Sequence, residues 1–251
     1  MATALAGAID GAEASAEFIA HDVSAERLEQ FGAGLRRFTT AASNREVADR
    51  SDVTFLSVKP QIMPDVLPEL ADATGLFVSI AAGIRLRALE QALPQARVIR
   101  VMPNTPGLVG EMAAGYAAGT RATTEDAELV GRLLQSAGTA YELPEELLDA
   151  VTGLSGSGPA FVARLIEAFT LAGEAEGLPH ETAYQLALAT FRGTARLLQE
   201  KHLSPDELVT MVSSPGGTTI AGRRVLESSA YRDVIRRSVA TAAERSRELG
   251  T

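Results

Sequence analysis

The chain has 251 residues, 46% of them hydrophobic and 22% charged, enough for one large or two ordinary domains. No cysteine is present, which excludes disulfides, thiol nucleophiles and thiolate metal sites, and a net charge of −9 argues against nucleic acid or an anionic membrane surface as the main partner. No apolar run approaches the ~18–20 residues of a membrane span, and the opening residues lack the basic start of a secretory leader, so the cytoplasm is the expected compartment. In chain order, Met1–Ile9 reads as a helix. Strand candidates follow at Phe18–His21, Val53–Val58, Leu76–Ile80 and Val98–Val101. The second and third are near-continuous apolar runs, as expected of parallel strands covered on both faces. Amphipathic segments lie between them at Ser24–Phe31, Glu46–Arg50, Ile62–Leu70 and Leu86–Ala92, and this alternation predicts a doubly wound α/β sheet. Beyond Pro144 the β-signal stops. Pro159–Glu176, Glu181–Glu200, Pro205–Val212, Thr218–Glu227 and Arg232–Leu249 read as helices with Gly and Pro at their ends. Two domains are therefore expected, residues 1–143 and 144–251. Apolar residues of Phe161–Leu171 and Ala183–Leu198 run nearly around each helix, which predicts burial between subunits, with a self-contained monomeric bundle as the alternative.

The stretch Val212-Ser213-Ser214-Pro215-Gly216-Gly217-Thr218-Thr219-Ile220 carries the most chemistry. Two glycines let the backbone approach a ligand, and the amides of the following helix start suit an anion, most simply a carboxylate. The same residues also read as a plain Pro-Gly turn with threonine helix caps. Elsewhere the candidates are weaker. His21, His180 and His202 are far apart without metal spacing and read as surface residues, so no metal site is expected. Glu145-Glu146 and Glu125-Asp126 read as acids placed at helix starts, where the helix dipole favours them.

The stretch from Val212 to Ile220 resembles the signature of the pyrroline-5-carboxylate reductase family. Ser57-Val58-Lys59-Pro60-Gln61, Val101-Met102-Pro103-Asn104-Thr105-Pro106 and Gly153-Leu154-Ser155-Gly156-Ser157-Gly158-Pro159-Ala160 resemble the same family, in the same order and spacing. One departure is Arg223, where the family usually has an aliphatic residue. The resemblance implies a Rossmann-like doubly wound sheet followed by an all-α C-terminal dimerisation domain, here without the first strand and Gly-rich loop. It sets Met1 where that loop ends, so a strand between Phe18–His21 and Val53–Val58 is expected to be missing and dinucleotide binding by the chain as given to be poor.

The implied activity is NADPH- or NADH-dependent reduction of 1-pyrroline-5-carboxylate to L-proline by a homodimer or higher homo-oligomer. By match to the family, Ser214, Gly216, Gly217 and Thr218 hold the substrate carboxylate, and Thr219 is the catalytic residue that hydrogen-bonds the ring nitrogen. Asn44 matches a residue on the adenosine side of the cofactor, although a helix cap beside Ser43 explains it equally well. Lys59 and Pro60 match cofactor contacts after a strand, Ala81 leaves room for nicotinamide, and Asn104 and Thr105 form a Pro-bounded loop that orients carboxamide or ribose. Asp22 follows a strand where a carboxylate binds a ribose 2′-hydroxyl, while Arg27 one helical turn later reaches a 2′-phosphate instead. Two other readings stand beside this one. A β-hydroxyacid dehydrogenase resembles it in plan but uses a lysine on the helix after a Gly-rich entry, where this chain offers Arg164. A non-catalytic, dimer-forming relative is the second.

Overall fold

The computed structural model of the protein describes residues 1–250. They pack as two units, one made of Met1–Pro159 with the chain from Val239 onward, the other of Ala160–Ser238.

The first unit opens with α1 (Ala2–Ala12), β1 (Phe18–Ala20), α2 (Ala25–Gly32), β2 (Phe38–Thr40), α3 (Asn44–Arg50) and β3 (Val53–Leu56). Then come α4 (Met63–Val66), β4 (Leu76–Ser79), α5 (Leu86–Ala92), β5 (Arg97–Met102), β6 (Met112–Ala118), α6 (Thr124–Gln135), β7 (Gly138–Glu142) and α7 (Leu148–Val151). Expected and observed strands agree closely where the sequence is β-branched or aromatic. The segment expected as one helix over Ile62–Leu70 is instead a single α-turn flanked by 3₁₀ turns at Pro60–Ile62 and Leu67–Leu70. Pro64 and Pro68 lack the amide that a continuous helix needs, which breaks it into pieces.

Five strands form one sheet in the order β3-β4-β5-β6-β7. All neighbours are parallel except β5 and β6, which run antiparallel. Side chains alternate through it: Phe77 joins Leu56 and Val98 on one face under α4 and α5, whereas Leu76 and Val78 join Ile99 and Val101 on the other with Leu5 of α1 and Val130 of α6. β4 is buried at every position because both faces are covered. The remaining strands, β1 and β2, form a separate parallel pair. Among the described residues, β1 pairs only with β2 and β3 only with β4. A cavity of about 890 Å³ is lined by Phe18 and Ile19 of β1, Val53 and Phe55 of β3, and Leu5 and Ile9 of α1. The inner edges of both strands thus border one cavity, at the position where the resemblance puts a further strand.

Two partly buried charge clusters tie the unit's later elements together. Arg100 is 2% exposed and bonds Glu145 Oε1 at 2.8 Å, and the same oxygen accepts the Leu86 amide at the start of α5. Asp149 accepts from Ser246 at 2.6 Å and from Arg85 at 3.2 Å, which fastens the end of the last helix to this unit.

The second unit is helical, as expected: most of α8 (Gly158–Ala175), then α9 (His180–Glu200), α10 (Pro205–Met211), α11 (Thr218–Ser228) and the first part of α12 (Tyr231–Leu249). Gly177, at φ +93, ends α8 with two backbone bonds, Leu178 N–H to Gly173 and Gly177 N–H to Glu174, the left-handed stop that glycine adopts without strain. Ser204 and Glu207 form a reciprocal cap on α10 with Pro205 in its first turn. Phe169 and Phe191 meet edge to face at 5.2 Å between α8 and α9. Few residues of this unit are buried: Thr170 is the one in α8, and α11 has none. Phe169, Leu171 and Leu186 are each more than half exposed.

Candidate active site

In the second unit, the chain leaves α10 and turns sharply. The Gly217 amide donates to the Ser214 carbonyl at 2.9 Å, with Pro215 and Gly216 between them. Proline at the second position and a glycine at φ +74 in the third are the requirements of a type II turn. The two glycines serve different needs. Gly216 supplies the positive φ, whereas a Cβ on Gly217 would sit 2.5 Å from Ser214 Oγ. Gly217 is the residue before α11 and offers no side-chain cap. The first-turn amides of Thr218, Thr219 and Ile220 therefore have no partner within the helix, and Ser214, Thr218 and Thr219 beside them are exposed. This is a neutral set of donors at the positive end of an eleven-residue helix, a setting that favours an anion. Ser213 Oγ, beside it, is buried with no partner among the described residues. Arg223 is half-buried on α11, with its Nε 3.2 Å from Glu227 Oε1 but without a hydrogen bond among the described residues, so the departure from the aliphatic pattern places a charged group on a partly covered face.

In the first unit, the candidate cofactor residues stand after the carboxyl ends of parallel strands. Asp22 follows β1, and its Oδ1 accepts the Ser24 amide at 2.9 Å with Arg27 at 3.8 Å. Ser43, not Asn44, caps α3 by accepting from the Glu46 amide. Asn44 is thereby free for other partners: its amide nitrogen donates to Glu69 at 2.9 Å and its oxygen lies 3.1 Å from His21 Nδ1. Since Glu69 must accept, the Asn44 oxygen faces the ring, and His21 Nδ1 carries the proton. His21 is half-buried and bonded, which corrects the expectation of a plain surface histidine.

Lys59 is exposed before the 3₁₀ turn that opens at Pro60. Ala81 is buried after β4, followed by Ala82 and by Gly83 at φ +79, a loop with almost no side-chain bulk. Asn104 is 8% exposed, and both ends of its amide are used within the protein: the oxygen accepts from the Ala113 amide at 2.9 Å and the nitrogen donates to the Ser155 carbonyl at 3.0 Å. It braces the loop after β5, leaving Thr105 exposed at the start of the next turn. Asp22 retains a second carboxylate oxygen without a partner among the described residues, and the Ala81-Ala82-Gly83 loop carries little side-chain bulk, with Gly83 lying against Leu249. Those features fit the sugar and ring of a dinucleotide.

Comparison with known proteins agrees with this arrangement. A pyrroline-5-carboxylate reductase of Arabidopsis thaliana is 44% identical over 225 residues, spanning 88% of this chain and 80% of that protein. The chain belongs to the pyrroline-5-carboxylate reductase family. Within it, the model for pyrroline-5-carboxylate reductase dimerisation matches residues 145–249, and one described as NADP oxidoreductase, coenzyme F420-dependent, matches residues 1–83. A solved reductase of the family from Coxiella burnetii superposes with a TM-score of 0.92 at 31% identity, over 99% of this chain and 94% of that one. Another, from Plasmodium falciparum with NADP bound, gives 0.81 at 29% identity, over 99% and 94%.

Two bonds that hold relevant residues escaped the reading of the sequence. Glu69 holds Asn44 from a separate turn, and Ser155 holds Asn104 from 51 residues away. Neither link has a local signature, because each is made only when distant segments pack.

Proposed function

We propose that this chain reduces 1-pyrroline-5-carboxylate to L-proline with NADPH or NADH. The observation that carries this reading is the uncapped start of α11 behind the Ser214–Gly217 turn. Its amides and hydroxyls bind the substrate carboxylate through Ser214, Gly216, Gly217 and Thr218, and Thr219 hydrogen-bonds the ring nitrogen. The imine is basic enough to arrive protonated, so the residues need only orient it, and no strong protein acid is required. The nicotinamide cofactor, when bound, supplies the hydride for the imine carbon. The cofactor role is assigned to residues 1–143 and the substrate and dimerisation role to 144–251, of which 144–159 and the chain from Val239 pack with the first unit. Asp22, Arg27 and Asn44 attend the adenosine side; Lys59, Pro60, Ala81 and Thr105 attend the remainder; Asn104 holds its loop in place. Exposed apolar residues on α8 and α9 support a homodimer or higher homo-oligomer. Among the described residues no helix is long and apolar enough to cross a membrane, and with the acidic charge this supports a cytoplasmic enzyme without nucleic-acid or membrane partners.

Pyrroline-5-carboxylate-dependent oxidation of NADH and of NADPH tests the activity. Thr219→Val removes the hydroxyl while keeping the side-chain shape, and a fall in kcat of about tenfold or more with little change in KM is expected. Full turnover by that variant would remove the nitrogen-binding role from Thr219.

A further inference from the structure

Two carboxylates stand at the corner where β1 ends. Asp22 is the first: the Ser24 amide at the start of α2 fixes its Oδ1, and its side chain remains 33% exposed. Glu69 is the second, joined to His21 through the Asn44 amide. The nearby cations are already engaged by carboxylates. Arg27 faces Asp22, and Arg45 is held by Asp49 at 2.7 Å and by Asp72. A phosphate arriving here meets fixed negative charge, and the arginines that would receive it must first leave their partners. A hydroxyl meets the reverse situation, because the second oxygen of Asp22 is an acceptor on an exposed, oriented carboxylate.

We infer that Asp22 makes this chain select a dinucleotide whose adenosine ribose keeps a free 2′-hydroxyl over one that bears a 2′-phosphate, which rests on the dinucleotide role proposed for the first unit. Asp22 Oδ2 accepts the hydroxyl, and the Ser24 amide holds the carboxylate at the required angle. Arg27, 72% exposed on its side chain, balances Asp22 rather than serving as a phosphate receptor.

The test is equilibrium binding of NADH and NADPH to the full chain, followed by fluorescence titration, in the wild type and in Asp22→Asn, Asp22→Ser and Arg27→Ala. NADH should bind about tenfold more tightly than NADPH, a ratio of ~1.4 kcal/mol. Asp22→Asn keeps the shape and the Ser24 bond, so it separates charge from folding. Both Asp22 variants should bring the two affinities within about threefold of each other by strengthening NADPH, and raised salt should narrow the wild-type ratio. Arg27→Ala should leave it within about twofold of the wild type, because an exposed arginine that does not receive the phosphate has little to lose. Tighter NADPH binding by the wild type, an unchanged ratio in Asp22→Asn, or a selective loss of NADPH in Arg27→Ala would each overturn the inference while leaving the reductase reading intact. Both dinucleotides are expected to bind weakly, so the ratio of the two affinities decides; a folded wild type that binds neither at millimolar dinucleotide overturns both readings.

Discussion

Tyr116 shows how one buried residue ties stability to pH. It lies in β6 at 7% exposure, with its hydroxyl so close over Gly131 of α6 that a Cβ there would be 2.5 Å from the oxygen. Burial pushes the phenol's ionisation above its ordinary value, and the negative charges of Glu142 and Glu128 push it further the same way. The folded pKa is therefore the higher one. The contribution is fully present below the unfolded value, about 10, and is lost as pH rises through the folded one. Of the chain's four tyrosines, one should ionise late in a spectrophotometric titration, and Tyr116→Phe should remove that step and flatten the alkaline fall in Tm. Four tyrosines ionising together before unfolding would contradict this. Arg100 makes a related point. Its guanidinium is buried and its partner Glu145, partly exposed, is shared with the α5 amide, so neither the charge nor the helix start stands alone.

At the scale of elements, the Ser214–Gly217 turn is the part most exposed to substitution. Gly216→Ala places a Cβ in the left-handed region, at a cost of about 1–2 kcal/mol. Gly217→Ala instead drives a methyl into Ser214 Oγ, so its cost depends on that hydroxyl. In a Ser214→Gly background the Tm penalty of Gly217→Ala should shrink, while that of Gly216→Ala should not. Equal penalties in both backgrounds would show that the close contact carries no strain. This turn was legible in the sequence because Pro-Gly-Gly leaves the backbone few alternatives. β3 and β4 were legible as apolar runs. By contrast β6, built of Met112-Ala-Ala-Gly-Tyr-Ala-Ala118, has weak β-preference and takes its shape from pairing with β5 and β7. β2 and β7 are short and largely exposed, so neither shows the burial pattern that marks a strand. The bonds from Asn44 to Glu69 and from Asn104 to Ser155 follow from tertiary packing, which spacing alone does not reveal.

At the scale of the whole molecule, the two units differ in how completely they bury themselves. The five-stranded sheet has a core on each face. The helical unit leaves Phe169, Leu171, Leu186, Met211 and Val225 more than half exposed. Isolated helices with that much apolar surface are poorly stable in water, so a second copy is the natural cover. Sedimentation velocity at micromolar concentration should give a species of at least twice the 26.3 kDa chain mass. Phe169→Glu with Leu186→Glu should shift it toward the single chain, and a wild-type monomer under the same conditions would contradict the oligomer. The fold class, the helical second half and the apolar surplus on α8 and α9 were legible from periodicity; which side chains stay uncovered, Phe169 and Leu186 among them, emerged only from the packed helices.

β1 and β3 run along the rim of the same hollow, and each keeps one side of its main chain unclaimed by any neighbour among the described residues. Such margins are templates. Any extended polypeptide that fits can be zipped in by main-chain bonding without regard to its sequence, which is how edge strands seed polymerisation. An extended apolar segment seated between β1 and β3 should therefore join the two sheets into one and slow hydrogen exchange at the Phe18–Ala20 and Val53–Leu56 amides.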